Sequence, residues 1–425
     1  MIPSLSAAVT GIDANQTMLD VIANNIANVD TTGYQAQSVQ FGDLLSQQIA
    51  GATAPGPNTG GTNPIEVGSG TEVVANNTDF AQGSIVATDI PSDLAIQGSG
   101  FLIGQLGNQV VYTRDGELTL NANGQLVTAN GAIIQGWMAP VPGGQINTSG
   151  PLGAVSIPQQ EVAPAKATSV LNLTGNLPPA PSGSTTPVTI SATAYDSSGN
   201  AVPITITFTP TSTPNTWTLQ ASVGTGSSAQ NLFSTAPTVT FQNGQISSIS
   251  GVTAGANGSY TVTSNQTAGP FPSGSISLVF PPPNTPGAFT QYGGDQTAEV
   301  GSQDGYPVGT MNSYSISQNG TIYGNFSNGQ TLALGQIALA NFANPEGLVH
   351  VGGTNYATSP NSGPPQIGTP GTGGRGTILG GSLEQSNVDL GTELTNLIIA
   401  QNAYQANTKV VTTSDQVLQA LENMP

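Results

Sequence analysis

A mainly β chain with a helix at each end is the fold that this 425-residue sequence predicts. Three observations carry the expectation. Apolar residues recur every seven positions near both termini, tight-turn dipeptides punctuate the region between, and Gly/Pro-rich stretches mark seams. The expected architecture has coiled-coil-like N- and C-terminal helices, a discontinuous inner β domain, and an outer β domain inserted into it.

The first helix runs from Ser4, an N-cap type of residue, to about Val29, with Gly11 as its main breaker. Leu5, Ile12, Leu19 and Ile26 recur at intervals of seven; Ala8 and Ile22 hold the intervening position, where Asn15 interrupts. Asp30-Thr31-Thr32-Gly33 has no helical period and supplies the stop. At the other end Leu383, Leu390, Leu397, Tyr404, Val411 and Leu418 keep one seven-residue register; Leu394 holds the partner position, where Gln401, Thr408 and Asp415 follow, and Ile398, Val417 and Leu421 broaden the stripe. Sustained heptads favour a coiled-coil seam, with an ordinary amphipathic helix as the alternative. Helices are therefore expected over 1–30 and 383–425, and packing them together would bring the termini side by side.

Between them the pattern is β. Gln109 to Trp137 reads as short strands separated by Asp115-Gly116, Asn123-Gly124 and Asn130-Gly131, dipeptides that tolerate the positive φ of hairpin turns. Val188–Phe208, Trp217–Val223, Thr238–Ser250 and Thr331–Ala340 continue in that style. Ala50–Pro64 and Ser359–Gly381 are loop-like, Val141–Pro151 opens a middle block, and Pro281-Pro282-Pro283 closes it. Linkers are thus expected at 31–71 and 359–382, the inner β domain at 72–145 and 288–358, and the inserted domain at 146–287.

Composition excludes several function classes. Only 4 residues are Lys or Arg against 22 Asp or Glu, so few phosphates could be neutralised, and nucleic acid and anionic membranes are not expected partners. No apolar run reaches the length of a membrane span, and membrane insertion is not expected. MIPSLSAAVTGIDANQTM has neither a basic n-region nor a continuous apolar core, so a Sec-type signal is not expected. The chain has no cysteine and one histidine, His350, leaving little for disulfides, thiolate metal sites or histidine catalysis. A weakly charged, Asn/Gln/Ser/Thr/Gly-rich surface suits close packing between copies, because like charges seldom meet.

The remaining candidates for chemistry read as turns. Gly98-Ser99-Gly100 with Gly104 is one residue too long for a dinucleotide fingerprint, and Gly371–Gly376 lacks the Lys-Ser/Thr of a phosphate loop. Asp89 and Asp93 flank Pro91 without a second acid cluster. Asp115, Asn121 and Asn123 lack the other ligand positions of a calcium loop. His350, between two valines, reads as structural, and no serine has a plausible base. Neither an active site nor a cofactor nor a metal is expected.

Two segments do resemble a known family. Ala23–Val29 (ANNIANV) continuing as Asp30-Thr31-Thr32-Gly33-Tyr34 resembles the N-terminal signature of bacterial flagellar rod and hook proteins. Ser382–Leu390 (SLEQSNVDL) and Ala400–Val410 (AQNAYQANTKV) resemble the signature at the other end. The signature residues here are Asn24, Asn25, Asn28, Gly33, Tyr34, Asn387, Asp389, Gln401, Tyr404 and Asn407; Asn402 stands where the family usually has arginine. Asn341–Leu348 and Asp93–Phe101 resemble segments shared by hook and distal-rod subunits, and the large insertion resembles the hook branch.

The resemblance implies a structural subunit, not an enzyme, that assembles into a curved, flexible tube passing torque from the basal-body rod to the filament. Its implied partners are further copies of itself, the rod, the hook cap, the hook–filament junction proteins and the flagellar type III export apparatus, with an extracellular location. Leu5, Ile12, Leu19, Ile26, Leu383, Leu390, Leu397, Tyr404, Val411 and Leu418 would carry self-assembly. A distal-rod subunit is the first alternative, and a secreted β-rich adhesin or surface-layer protein the second.

Overall fold

The structure is a computed structural model and describes residues 3–57, 60–158, 160–181 and 183–422. Residues 1–2 and 423–425 of the expected helices lie outside the described residues. Helix α1 spans Pro3–Ala27 and helix α2 spans Leu390–Glu422, with β structure between. Proline at the first helical position of α1 lacks only an N–H that has no helical partner there. The chain leaves α1 through Gly33, at φ +67°, where a Cβ would lie 2.6 Å from the Asp115 amide nitrogen. No other residue fits both constraints.

The heptad register does not extend helix α2 back to Leu383. Ser382–Glu384 is a strand antiparallel to Ile85–Ala87, with Leu383 opposite Val86. Gly381, at φ +69°, turns the chain into that pairing. Asp389 then starts the helix: its Oδ1 accepts the N–H groups of Gly391 and Thr392 at 2.9 and 3.3 Å. A sheet edge distant in sequence, together with a cap, overrides the local period.

The described residues fall into two compact units. The first comprises those of 1–159, 314–323 and 333–425, and the second those of 160–313 and 324–332. In the first unit, Phe101–Leu106 pairs with Gln109–Thr113 and with Ile133–Met138, and residues 335–337 extend the sheet from the far edge of Ile133–Met138. Asn123-Gly124 and Asn130-Gly131 are turns, with both glycines at positive φ. Asp115-Gly116 is not a hairpin turn. The strands on either side of it find other partners, and Gly116 is pressed onto the Leu94 carbonyl. An edge-on aromatic cluster of Phe101, Tyr112, Trp137, Phe342 and Tyr356 forms one core, with Tyr112 and Phe342 centroids 4.9 Å apart.

The expected linkers contain sheet. Gln37–Asp43 pairs with Thr71–Thr78, and Gln47–Ala50 with Ile65–Val67, making a long hairpin that spans 37–78 and takes in most of the segment 31–71. Within 359–382, Gln366–Gly368 pairs with Leu339–Asn341, and Thr377–Gly380 with Leu94–Gln97. Glycine and proline at the tips hid strands whose partners satisfy their backbone groups.

The second unit is an antiparallel succession of Val188–Tyr195, Ala201–Pro210, Thr216–Val223, Thr238–Gln242 and Gln245–Ile249. Trp217, Leu219, Ala221 and Val223 alternate into its core, as a half-buried strand requires. This unit is not bounded by 146 and 287. Ile146 and Leu152 pack against the aromatic cluster of the first unit, whereas Phe289 lies in the second unit's core and Phe289–Thr290 pairs with Gly175–Asn176. The triple proline interrupts a strand succession without ending the unit.

Candidate assembly surface and its polar joint

Helices α1 and α2 pack antiparallel. Gly11 faces Asn407, whose Nδ2 would lie 2.8 Å from a Cβ there, and Asn25 Nδ2 donates to Glu393 Oε1 at 3.1 Å. Ascending α1 from the first pair to the second therefore descends α2. The centre of the seam is made of small or polar residues: Ala8, Gly11 and Ala14 on α1, Ala400, Asn407 and Ser414 on α2. Small side chains let two helix axes approach closely.

The heptad residues do not form the centre of this seam. Leu5, Ile12, Leu19, Ile26, Leu397, Tyr404 and Val411 are only half-buried, and Leu390 and Leu418 are exposed. Leu383 is half-buried in its strand. Of the intervening set, Ala8 and Ile22 are buried and Asn15 is half-buried, while Gly11 and Ala14 belong to neither register. Further apolar side chains face outward on α2, among them Leu394, Val417, Ile398 at 59% exposure and Ile399 at 56%. Exposed apolar side chains in this number, spread over more than one face of α2, suit contact with other surfaces.

The signature asparagines build a joint where the helices meet the β structure. Asn25 is fully buried; its Oδ1 accepts the Gln37 N–H at 3.0 Å and the Tyr34 hydroxyl at 3.1 Å, and its Nδ2 donates to the Gln37 carbonyl at 2.7 Å. Asn24 Nδ2 donates to the same Tyr34 oxygen, and Asn28 Nδ2 to the Asn24 carbonyl. Burial, and secondarily Glu393, raises the Tyr34 pKa, keeping the hydroxyl protonated as a donor. Asn387 ties the returning chain: its Oδ1 accepts the Ala36 N–H at 2.7 Å and its Nδ2 donates to the Asp79 and Ala81 carbonyls. Gln401 and Asn402 are exposed on α2 and take no part in this joint.

Arg114 and Glu384 complete it, although sequence reasoning did not single them out. Arg114 Nη1 lies 3.1 Å from Glu384 Oε1, with both side chains buried. The same Oε1 accepts the Gly83 N–H at 3.0 Å, Arg114 Nη2 donates to the Gly98 carbonyl, and the guanidinium sits over the Phe101 ring. The available signal was that Arg114 is the first cation in the chain.

The expected turn residues behave as such. Asp89 takes a positive φ, and Asp93 accepts the Thr88 hydroxyl at 2.7 Å. Arg375 braces its own glycine-rich loop through Thr369 and Thr372. His350 stands edge-on to Tyr356. Among the described residues, no group of three or more His, Cys, Asp or Glu could hold a metal ion, and no helix is long and apolar enough to cross a membrane.

Two terminal helices paired across a discontinuous β unit, with the signatures forming their joint, define the class of flagellar rod and hook proteins. Family models agree along the chain: flagella basal body rod protein at 5–35, flagellar hook protein FlgE/F/G D1 domain at 95–175, flagellar basal body protein FlaE D2 domain at 165–306, and flagellar basal body rod FlgEFG protein C-terminal at 379–424. The chain is 38% identical to the flagellar hook protein FlgE of Borreliella burgdorferi, over 99% of each chain. It is 35% identical to that of Treponema pallidum over 98% of each, and 34% identical to that of Escherichia coli over 99% of this chain and all of that one. The chain belongs to the flagellar hook protein FlgE family.

Proposed function

We propose that the chain is the repeating subunit of the flagellar hook, a curved, flexible tube that passes torque from rod to filament. The observation that carries this reading is the paired helices with exposed apolar side chains on several faces of α2: the pair is complete as a fold and incomplete as a surface. Contacts repeating from copy to copy in a head-to-tail sense generate a helical polymer, whereas self-complementary ones close a dimer. Leu390, Leu394, Ile398, Ile399, Val417 and Leu418 would meet neighbouring helices in the tube wall, with the β-rich units outside.

The rod, the hook cap and the hook–filament junction proteins would contact the two ends of the tube, and the subunit would reach the cell exterior through the flagellar type III export apparatus. Whole-chain similarity to hook proteins, insertion included, favours this reading over a rod subunit or an adhesin. Electron microscopy of the purified chain tests it. Curved tubes are expected; monomers persisting across salt and pH would overturn it.

A further inference from the structure

Six Asn-Gly pairs occur in the chain, at Asn123, Asn130, Asn243, Asn257, Asn319 and Asn328. Such pairs can cyclise: the glycine nitrogen attacks the asparagine Cγ, the Cγ–Nδ2 bond breaks, and ammonia leaves with the glycine's proton. Water then opens either carbonyl of the succinimide, giving aspartate or isoaspartate. Both requirements are structural. The carboxamide must be free to swing, and the glycine N–H must be free to lose its proton.

Five of the six sites fail the second requirement. The N–H groups of Gly124, Gly131, Gly258, Gly320 and Gly329 donate to the carbonyls of Asn121, Thr128, Gly255, Ser317 and Phe326 at 2.8–3.0 Å. At four of these the asparagine side chain is also engaged: Asn130 with Thr128, Asn257 with Ser259, Asn319 with Thr321 and Asn328 with the Pro307 carbonyl. Asn243-Gly244 differs. It forms the two-residue turn between Thr238–Gln242 and Gln245–Ile249, with Asn243 at φ +53° and exposed. Among the described residues, neither the Asn243 carboxamide nor the Gly244 N–H makes a hydrogen bond.

We infer that Asn243 is a spontaneous modification site of this protein, converting to aspartate and isoaspartate ahead of the other five pairs. Either product adds a carboxylate to a chain with few charges. The isoaspartate also inserts a methylene into a turn whose geometry is closely held: the Tyr292 ring lies where a Gly244 Cβ would stand, and its hydroxyl donates to the Asn243 carbonyl at 3.3 Å. The product therefore alters the hairpin locally as well as its charge. This inference does not depend on the assembly reading.

The test is incubation of the full folded chain in mildly alkaline buffer, followed by pepsin digestion in acid and mass spectrometry. Cleavage after Lys and Arg would leave 167–375 as one fragment, which would not resolve the sites. Conversion at Asn243 is expected to run about fivefold ahead of any other Asn-Gly pair, the factor set by one ordinary hydrogen bond. In urea the six rates should converge. Asn243→Gln should remove the leading product and leave the other five rates unchanged. Equal rates in the folded chain, or a preference for Asn243 that persists in urea, would overturn the inference.

Discussion

Arg114 and Glu384 face each other at 3.1 Å inside the first unit, 270 residues apart in sequence, with Arg114 Nε and Glu384 Oε2 left without partners. Two buried charges recover their lost hydration only through each other and the bonds around them. Removing one should therefore cost more than removing both. Arg114→Met or Glu384→Gln is expected to destabilise the chain by about 3–5 kcal/mol, and the double variant Arg114→Met/Glu384→Leu by clearly less. Urea unfolding monitored by circular dichroism measures this; additive losses would show that the pair is not coupled.

Asn25 presents a different case, because it satisfies backbone groups as well as side chains. Asn25→Leu keeps the volume but strips the Gln37 N–H, the Gln37 carbonyl and the Tyr34 hydroxyl of a buried partner. A loss of about 2 kcal/mol or more is expected. Heteronuclear NMR or hydrogen exchange should show the loss of protection centred on residues 34–37. A variant as protected as the parent would mean that water replaces the amide.

The exposed apolar residues of α2 give a prediction that separates folding from assembly. Ile398→Asp and Ile399→Asp place charge on positions more than half exposed in the subunit. Monomer melting temperature should be nearly unchanged, while tube formation seen by sedimentation and electron microscopy should fail. If both variants still form tubes, Ile398 and Ile399 are not assembly contacts.

Asp115 makes stability depend on pH in an unusual direction. Burial pushes its carboxyl up to about 6, with Glu117 and Asp93 adding to the rise against the Glu117 N–H. The folded chain then holds this proton more tightly than the unfolded chain, so the site costs stability at neutral pH and the cost disappears as pH falls from about 6 to about 4. Asp115→Asn retains an acceptor for the Glu117 N–H, now 3.0 Å away. It should stabilise by up to about 3 kcal/mol at neutral pH and by almost nothing below pH of about 4. Thermal melts at the two pH values decide; an equal effect at both would exclude titration as the cause.

Acid should do little to the chain as a whole. With carboxylates protonated, only 4 Lys/Arg, His350 and the N-terminus remain positive, so mutual repulsion stays small. Asp304 acts in the opposite sense to Asp115. Burial works against its charge, but the Ser169 and Val170 N–H groups, the Ser169 hydroxyl and Lys166 hold its carboxyl well below the usual range. Its contribution is complete above the unfolded value near about 4 and is lost only as pH drops through the lowered one. Tubes formed at neutral pH are expected to persist near pH of about 3, where most carboxylates are protonated. Light scattering during acid titration would show dissociation if this is wrong.

Elements written in local chemistry were legible in advance. Both helices were visible from their heptads, and the turns at Asn123-Gly124 and Asn130-Gly131 from two residues each. The strand at Ser382–Glu384 was not, because its partner at Ile85–Ala87 lies far away in sequence and the heptad pointed elsewhere. The hairpin spanning 37–78 was hidden by its Gly/Pro-rich tip. At the candidate site the signature marked Asn25, Tyr34 and Asn387 as a set, but not that Asn25 bonds Tyr34 while Asn387 ties down the neighbouring Ala36. The periodic leucines drew attention from the smaller residues at the seam's centre, since apolar period reports burial of some kind and not against which surface.

The antiparallel helix pair sets an order of events. Asn25 and Glu393 are separated by 368 positions, so α1 is made first and waits for almost the entire chain before its mate exists. A helix in a protein draws most of its stability from packing of its apolar face, and closing so large a loop is slow and entropically costly. The chain thus carries its own timer: until its final segment emerges, its opening helix is tied at Asn25 to Tyr34 and Gln37 but lacks the mate that covers its seam. Chains stopped at residue 389 should leave α1 open to proteolysis while the β units resist it.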